Sequence, residues 1–255
     1  MTQDKPEFNL SRRTVLAGLG TIGVASAGAG LGTTAFFNDT ESFKNNVITA
    51  GKLDLKVSYD ASYQGAGDLQ TATGTADGDP VVGVNLTDVK PGDWGHVKFC
   101  FAVDNNPAYL WMHGALTAND ENGQTEPERL VDTTGGDPGH GMGELADAIL
   151  AEVTYVDDTD SQIGSSVLSG SLRDVMNALS TGVALDGVPG TDARSCFQPD
   201  NNPCLLVKLN VPKEVGNEIQ TDSVALNVGF YAEQCRHNDG TNNPFATPVN
   251  NSTTS

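Results

Sequence analysis

Val97-Lys98-Phe99-Cys100-Phe101-Ala102-Val103 decides the fold. Large apolar side chains at 97, 99, 101 and 103 alternate with charged or smaller ones. That period of two puts the apolar set on one face of a β-strand and fits no helix. Outward from this stretch the pattern recurs. Leu53, Leu55 and Val57 alternate within Ala50–Tyr59, and Val82, Val84 and Leu86 alternate in the next segment. Ala108–Thr117, Ala148–Val156, Leu205–Val211 and Val224–Ala232 bring the expectation to about seven strands. Lys90-Pro91-Gly92-Asp93 and Asp104-Asn105-Asn106-Pro107 read as turns between them, since Pro fixes one φ and Gly or Asn accepts a positive one. One helical pattern interrupts: Val167, Leu168, Leu172, Val175, Met176 and Leu179 share a face between Ser165 and Ser180. Asp60–Asp79 and Asn119–Gly143, rich in Gly, Asp, Thr and Pro, read as exposed loops, and Thr241–Ser255 as a disordered polar tail. The sum is an all-β chain: a jelly-roll-like β-sandwich with one short helix and long acidic loops. Residues 49–240 are enough for a single core.

Residues 1–35 read as an export leader. Charges cluster up to Arg13, and none occurs from Thr14 to Asn38. Ser11-Arg12-Arg13-Thr14-Val15-Leu16, followed by a mildly apolar Gly- and Ala-rich run, looks like a twin-arginine signal. Small residues at Thr33 and Ala35 place cleavage between Ala35 and Phe36, with Ala27 and Ala29 as alternatives. The uncharged stretch is also long enough to span a bilayer as an anchor, although so many Gly and Ala insert weakly. The expected partners at this stage are the export machinery and signal peptidase, and any membrane contact is through the leader alone. The expected location is extracellular or at the cell surface.

Charge excludes other partners. The chain carries 33 acidic against 14 basic residues, a formal net charge of −19. The leader holds one net positive charge, which leaves the mature part near −20. Nucleic acid is excluded, because affinity for it comes from Lys and Arg releasing counterions from phosphates. The acidic residues are scattered, as on a halophile's solvated surface in strong brine, where salt screens their self-repulsion.

Four cysteines follow the leader: Cys100, Cys196, Cys204 and Cys235. An even number in an oxidising compartment implies two disulfides, with three possible connectivities. Cys196 and Cys204 are separated by Phe-Gln-Pro-Asp-Asn-Asn-Pro, a turn-rich stretch able to bring them together. Cys100 lies in mid-strand and Cys235 ends one. The expected bridges are therefore Cys196–Cys204 and Cys100–Cys235.

Thr34-Ala-Phe-Phe-Asn-Asp-Thr-Glu and Ile48-Thr-Ala-Gly-Lys-Leu-Asp-Leu open the mature chain. With Val84-Asn-Leu-Thr-Asp-Val-Lys-Pro-Gly-Asp, Asn217-Glu-Ile-Gln-Thr-Asp-Ser-Val and Gly229-Phe-Tyr-Ala-Glu-Gln, they resemble the TasA/camelysin family of secreted proteins. The blocks cover both ends of the mature domain in order; residues 117–200 match no motif of the family. The resemblance implies a jelly-roll subunit of extracellular fibres, a homo-polymer such as a biofilm-matrix filament, in which an N-terminal strand freed by leader cleavage inserts into the next subunit. The twin-arginine-like leader and the four cysteines depart from the family. Within 36–48, Phe36, Phe37, Phe43, Val47 and Ile48 are apolar enough to add to a sheet edge, though Asp39, Glu41 and Asn45 share parity with Phe37 and Phe43. A strand of the subunit's own sheet is the competing reading.

The family also carries a metalloprotease label, which makes a secreted metalloprotease the alternative function. The histidines are His96, His113, His140 and His237, and none lies in H-E-x-x-H. His140-Gly-Met-Gly-Glu144 and His237-Asn-Asp239 are the nearest ligand patterns, and no G-x-S-x-G occurs. No catalytic residue is assigned. Asp157, Asp158 and Asp160 offer hard oxygens of the kind calcium takes, but the run lacks the Gly and Glu of an EF-hand, so no metal or cofactor is assigned. Trp94, Tyr109 and Trp111 form either a sugar-stacking surface, as in a monomeric glycan-binding module, or strand packing. Asn250 and Asn251 head the most accessible N-glycosylation tripeptides.

Overall fold

The structure, a computed structural model, describes residues 38–42, 54–65, 69–76, 89–132, 139–191, 193–200 and 202–246. Arg12, Arg13, Ala35, Phe36, Phe37, Phe43, Val47, Ile48, the strand expected around Val82–Leu86, Asn250 and Asn251 lie outside them.

Ten strands are described: β1 (Asn38–Ser42), β2 (Asp54–Gln64), β3 (Gln70–Ala76), β4 (Trp94–Asp104), β5 (Ala108–Asp120), β6 (Leu150–Val156), β7 (Gln162–Ser171), β8 (Val183–Ala184), β9 (Cys204–Asn210) and β10 (Ser223–Gln234). They form two antiparallel sheets, of order β1-β10-β5-β8 and β3-β2-β4-β9-β6-β7. This is the all-β sandwich that the alternation predicts. Its jelly-roll-like character lies in the crossings: β4 and β5, joined by a tight turn, belong to different sheets, and the first and last strands are neighbours. Asn105 (φ 69°) and Gly92 (φ 94°) take the left-handed positions of the two turns expected from sequence.

The deciding stretch sits at the centre. In β4, Phe99, Phe101 and Val103 are buried and Val97 is half-buried, whereas Ala102 and Asp104 are exposed. Phe230 of β10 reaches across from the smaller sheet, edge-on to Phe99 (5.2 Å) and Phe101 (4.9 Å). Phe197 meets the far side of Phe101 at 5.4 Å. These edge-to-face contacts favour the rings beyond the area they bury. The helix Leu172–Ser180 closes one flank with Leu172, Val175, Met176 and Leu179 buried.

Four expectations are corrected. The helix begins at Leu172, not Ser165. Its signal is Ser171, whose side chain accepts from the Asp174 amide. Val167 and Leu168 instead lie on β7, an edge strand whose pairing with β6 outweighs their helical spacing. Asp60–Asp79 is not a loop throughout: β2 runs on to Gln64, and β3 pairs back along it from Tyr63↔Gln70 to Val57↔Ala76. The Gly- and Thr-rich composition that reads as loop is tolerated there because β3 is an edge strand exposed along most of its length. Asn119–Gly143 is not wholly exposed, since Asn119, Glu121 and Glu128 are buried in it. Finally, Thr241–Ala246 is not disordered: Phe245 stacks on His113 at 4.3 Å, and Asn243 donates to the Thr181 carbonyl at 2.8 Å.

Candidate functional site

The candidate assembly edge is built on β10. On one side β10 pairs with β5 along its whole length, from Ser223↔Asp120 to Gln234↔Ala108, with an irregularity at Ala225/Leu226. On the other side β1 pairs antiparallel over Asn38↔Glu233 to Ser42↔Gly229. Residues 38–42 therefore lie on the chain's own sheet, at the edge of β10. Among the described residues no strand continues beside Ser223–Val228. Burial follows the pairing: most of Gly229–Glu233 is buried, whereas Ser223, Ala225 and Leu226 are exposed. Beside this open half, among the described residues, the sheets leave a groove of about 1320 Å³ lined by Phe99, Val207 and Leu209 of the larger sheet and by Val224, Leu226 and Val228. A strand edge with no neighbour among the described residues, beside apolar side chains, is the geometry of β-augmentation.

All four cysteines are bridged, but not as expected. The bonds are Cys100–Cys204 and Cys196–Cys235. The reason is register. β4 and β9 pair from Trp94↔Asn210 to Phe99↔Leu205, so Cys100 and Cys204 fall directly opposite one another, with Cα atoms 4.3 Å apart. They pack with Val156 and Leu206 in a small apolar cluster. Cys196 is left to join Cys235 at the end of β10, beside Phe197, whose amide and carbonyl bond the backbone of Ala108.

The other candidate residues are dispersed. Trp111 is buried and Trp94 is exposed, so the three aromatics do not form one surface. The Arg194 guanidinium lies over Trp111 (4.1 Å) and Tyr109 (4.7 Å) and donates to the carbonyls of Leu185, Leu110 and Gly240. Burial of this charge lowers its pKa from the ordinary value. His96 bonds Ser62 on β2, and His140, highly exposed, bonds Asp120 at 3.0 Å. His113 is packed under Phe245 and held below its ordinary pKa by burial. Asp157 folds its own turn, accepting from the amides of Thr159 and Ser161 and the Thr159 hydroxyl, which lowers its pKa. Asp160 pairs with Lys98.

Among the described residues a single group of His, Cys, Asp or Glu side chains is close enough to share an ion: Glu121, Glu128 and Asp222. Glu121 follows β5 directly, Glu128 opens a 3-10 turn ending at Leu130, and Asp222 precedes β10. One oxygen of each carboxylate is anchored. Glu121 Oε1 accepts from the Gly123 amide (2.8 Å) and the Thr221 hydroxyl (3.0 Å). Glu128 Oε2 accepts from the Thr125 amide (2.9 Å). Asp222 Oδ2 accepts from the amides of Glu144 (2.6 Å) and Leu145 (2.8 Å). The other oxygen of each is buried without a hydrogen-bond partner. Burial, together with nearby Glu121, pushes Asp222 up to about 7, and burial raises Glu128. Sequence reading missed this site because its members come from three turns up to about a hundred residues apart and share no local motif.

No helix among the described residues is long and apolar enough to cross a membrane. No family model and no curated protein matches the chain.

Proposed function

We propose that this protein is an extracellular structural subunit that assembles into cell-surface or biofilm-matrix filaments by exchanging its N-terminal strand between copies. The observation that carries the reading is the edge of β10, covered by β1 over Gly229–Glu233 and open among the described residues over Ser223–Val228, beside the apolar groove. A strand near the start of the expected mature chain, paired among the described residues to β10 alone, can leave its own subunit and take the same place on the next. Two disulfides suit an oxidising compartment, and the leader supplies the route there. The resemblance of the opening and closing blocks to the TasA/camelysin proteins points the same way.

Deletion of Phe36–Asn46 tests the reading. The truncated mature protein should keep its β circular dichroism and solubility and form no filaments under the electron microscope, where the full mature chain forms them. Unfolding of the truncated protein would make the segment part of its own core. Polymerisation without it would refute strand exchange.

A further inference from the structure

We propose that Glu121, Glu128 and Asp222 bind one calcium ion, which clamps the loop after β5 to the start of β10. The argument begins with burial. Glu128 is fully buried and Glu121 is 3% exposed, yet each keeps one oxygen without a hydrogen-bond partner, as does Asp222. Three carboxylates cannot all be ionised out of water without a compensating charge. Among the described residues no Lys or Arg forms an ion pair with any of them; Arg129, next to Glu128, donates to the Gln124 carbonyl instead. The compensation is therefore either protons shared within the group or a cation.

Geometry favours the cation. The anchored oxygens are held by amides and a hydroxyl on three separate turns, so each side chain is already oriented and its second oxygen is free. One oxygen from each residue lies within 4.8 Å of the others, a spacing that an ion about 2.4 Å from each can bridge. All-oxygen, all-anionic donors select a hard divalent cation. Calcium accepts irregular geometry, whereas magnesium demands a near-ideal octahedron at about 2.0–2.1 Å and keeps several of its waters, which suits a fully buried Glu128 poorly. Asp222 carries the effect further. Its anchored oxygen holds the amides at the start of the helix Leu145–Ala148, so the ion would brace that helix as well. The site lies at the opposite end of β10 from β1 and does not rest on the filament reading.

Calorimetry of the purified mature protein tests the site, with EDTA-stripped protein titrated with calcium and melted with and without it. One ion per chain should bind, and saturation should raise Tm by about 5–10 °C for a domain of this size. Glu128→Gln should weaken binding roughly tenfold or more while melting no lower than the wild type in EDTA, because it removes one buried charge and keeps the shape. That last comparison separates loss of the ion from loss of the fold. No binding heat and equal Tm with and without calcium would overturn the proposal in favour of a proton-sharing carboxyl group. Calcium binding undiminished in Glu128→Gln would place the ion elsewhere, and magnesium acting as well as calcium would overturn the choice of ion.

Discussion

Replacing Cys196 and Cys235 together by serine separates the observed bridges from the pairing that turn chemistry suggests. The bond closes a loop with a sequence separation of 39 residues. The chain-entropy relation for such a loop gives about 4 kcal/mol, and measured values for native bridges range down to about 2 kcal/mol. In a domain of about 220 residues each kcal/mol moves Tm by about 2–4 °C, so the variant should melt roughly 5–15 °C lower. It should still fold, because the strap it releases keeps Phe197 in the core and both backbone bonds to Ala108 (2.8 and 3.0 Å). The decisive assay is a thiol count in denaturant without reductant. With Cys100–Cys204 intact the double variant shows no free thiol. If the bridges were Cys196–Cys204 and Cys100–Cys235, it would strand Cys100 and Cys204. Two titratable thiols, or a Tm unchanged from the wild type, would refute the register argument that joins β4 to β9.

Two further outcomes follow from the core and the acidic cluster. Phe230→Ala removes the ring that meets Phe99 and Phe101 across the sheets, and should cost about 3–5 kcal/mol in denaturant unfolding. In chelator, stability should fall as pH rises from about 4 to about 7: Asp222 is raised to about 7, so over that window the folded chain holds a proton the unfolded chain has released. Asp222→Asn should flatten this slope relative to wild type, while His113, lowered by burial, acts in the opposite direction near pH 6 in both proteins.

What could be read from the sequence, and what could not, divides along the range of the interactions. The inward face of β4, the Gly92 and Asn105 turns and the buried face of the helix from Leu172 are local patterns, and each is where the alternation places it. The extent of β2, the strand β3 and the true start of the helix depend on which neighbour a segment pairs with. Val167 and Leu168 satisfy a helical period and still go to β7, because β6 offers them a partner strand. The disulfides fail for the same reason. Cys196 and Cys204 are close in sequence, but Cys204 enters β9 and is carried to Cys100 by the register of two strands more than a hundred residues apart. Glu121, Glu128 and Asp222 are the extreme case: each sits in an ordinary-looking turn, and only the β5–β10 pairing that sets Asp120 opposite Ser223 draws them together.

That same pairing bears on how a subunit could exchange a strand without unfolding. β10 is held to β5 along its whole length, is followed at one end by Cys235, bonded to Cys196, and is preceded at the other by Asp222, bonded to the start of the helix Leu145–Ala148. Its central ring, Phe230, packs edge-on against Phe99 and Phe101 of the larger sheet. Loss of β1 removes the backbone hydrogen bonds it makes to Gly229–Glu233 of β10, each with a net worth of only about 0.5–1.5 kcal/mol. An incoming strand from a second copy restores the same bonds, so exchange is close to neutral in bonding and is decided by the concentration of neighbours and by any additional contacts along Ser223–Val228. On the proposed reading, that open half of β10 tips the balance from a closed monomer to a chain of subunits. A charged substitution there, Leu226→Lys, should block filament growth while leaving the monomer's melting temperature within a few degrees of the wild type, because Leu226 is already exposed. Filaments that grow normally from Leu226→Lys would show that the edge beside the groove takes no part in assembly.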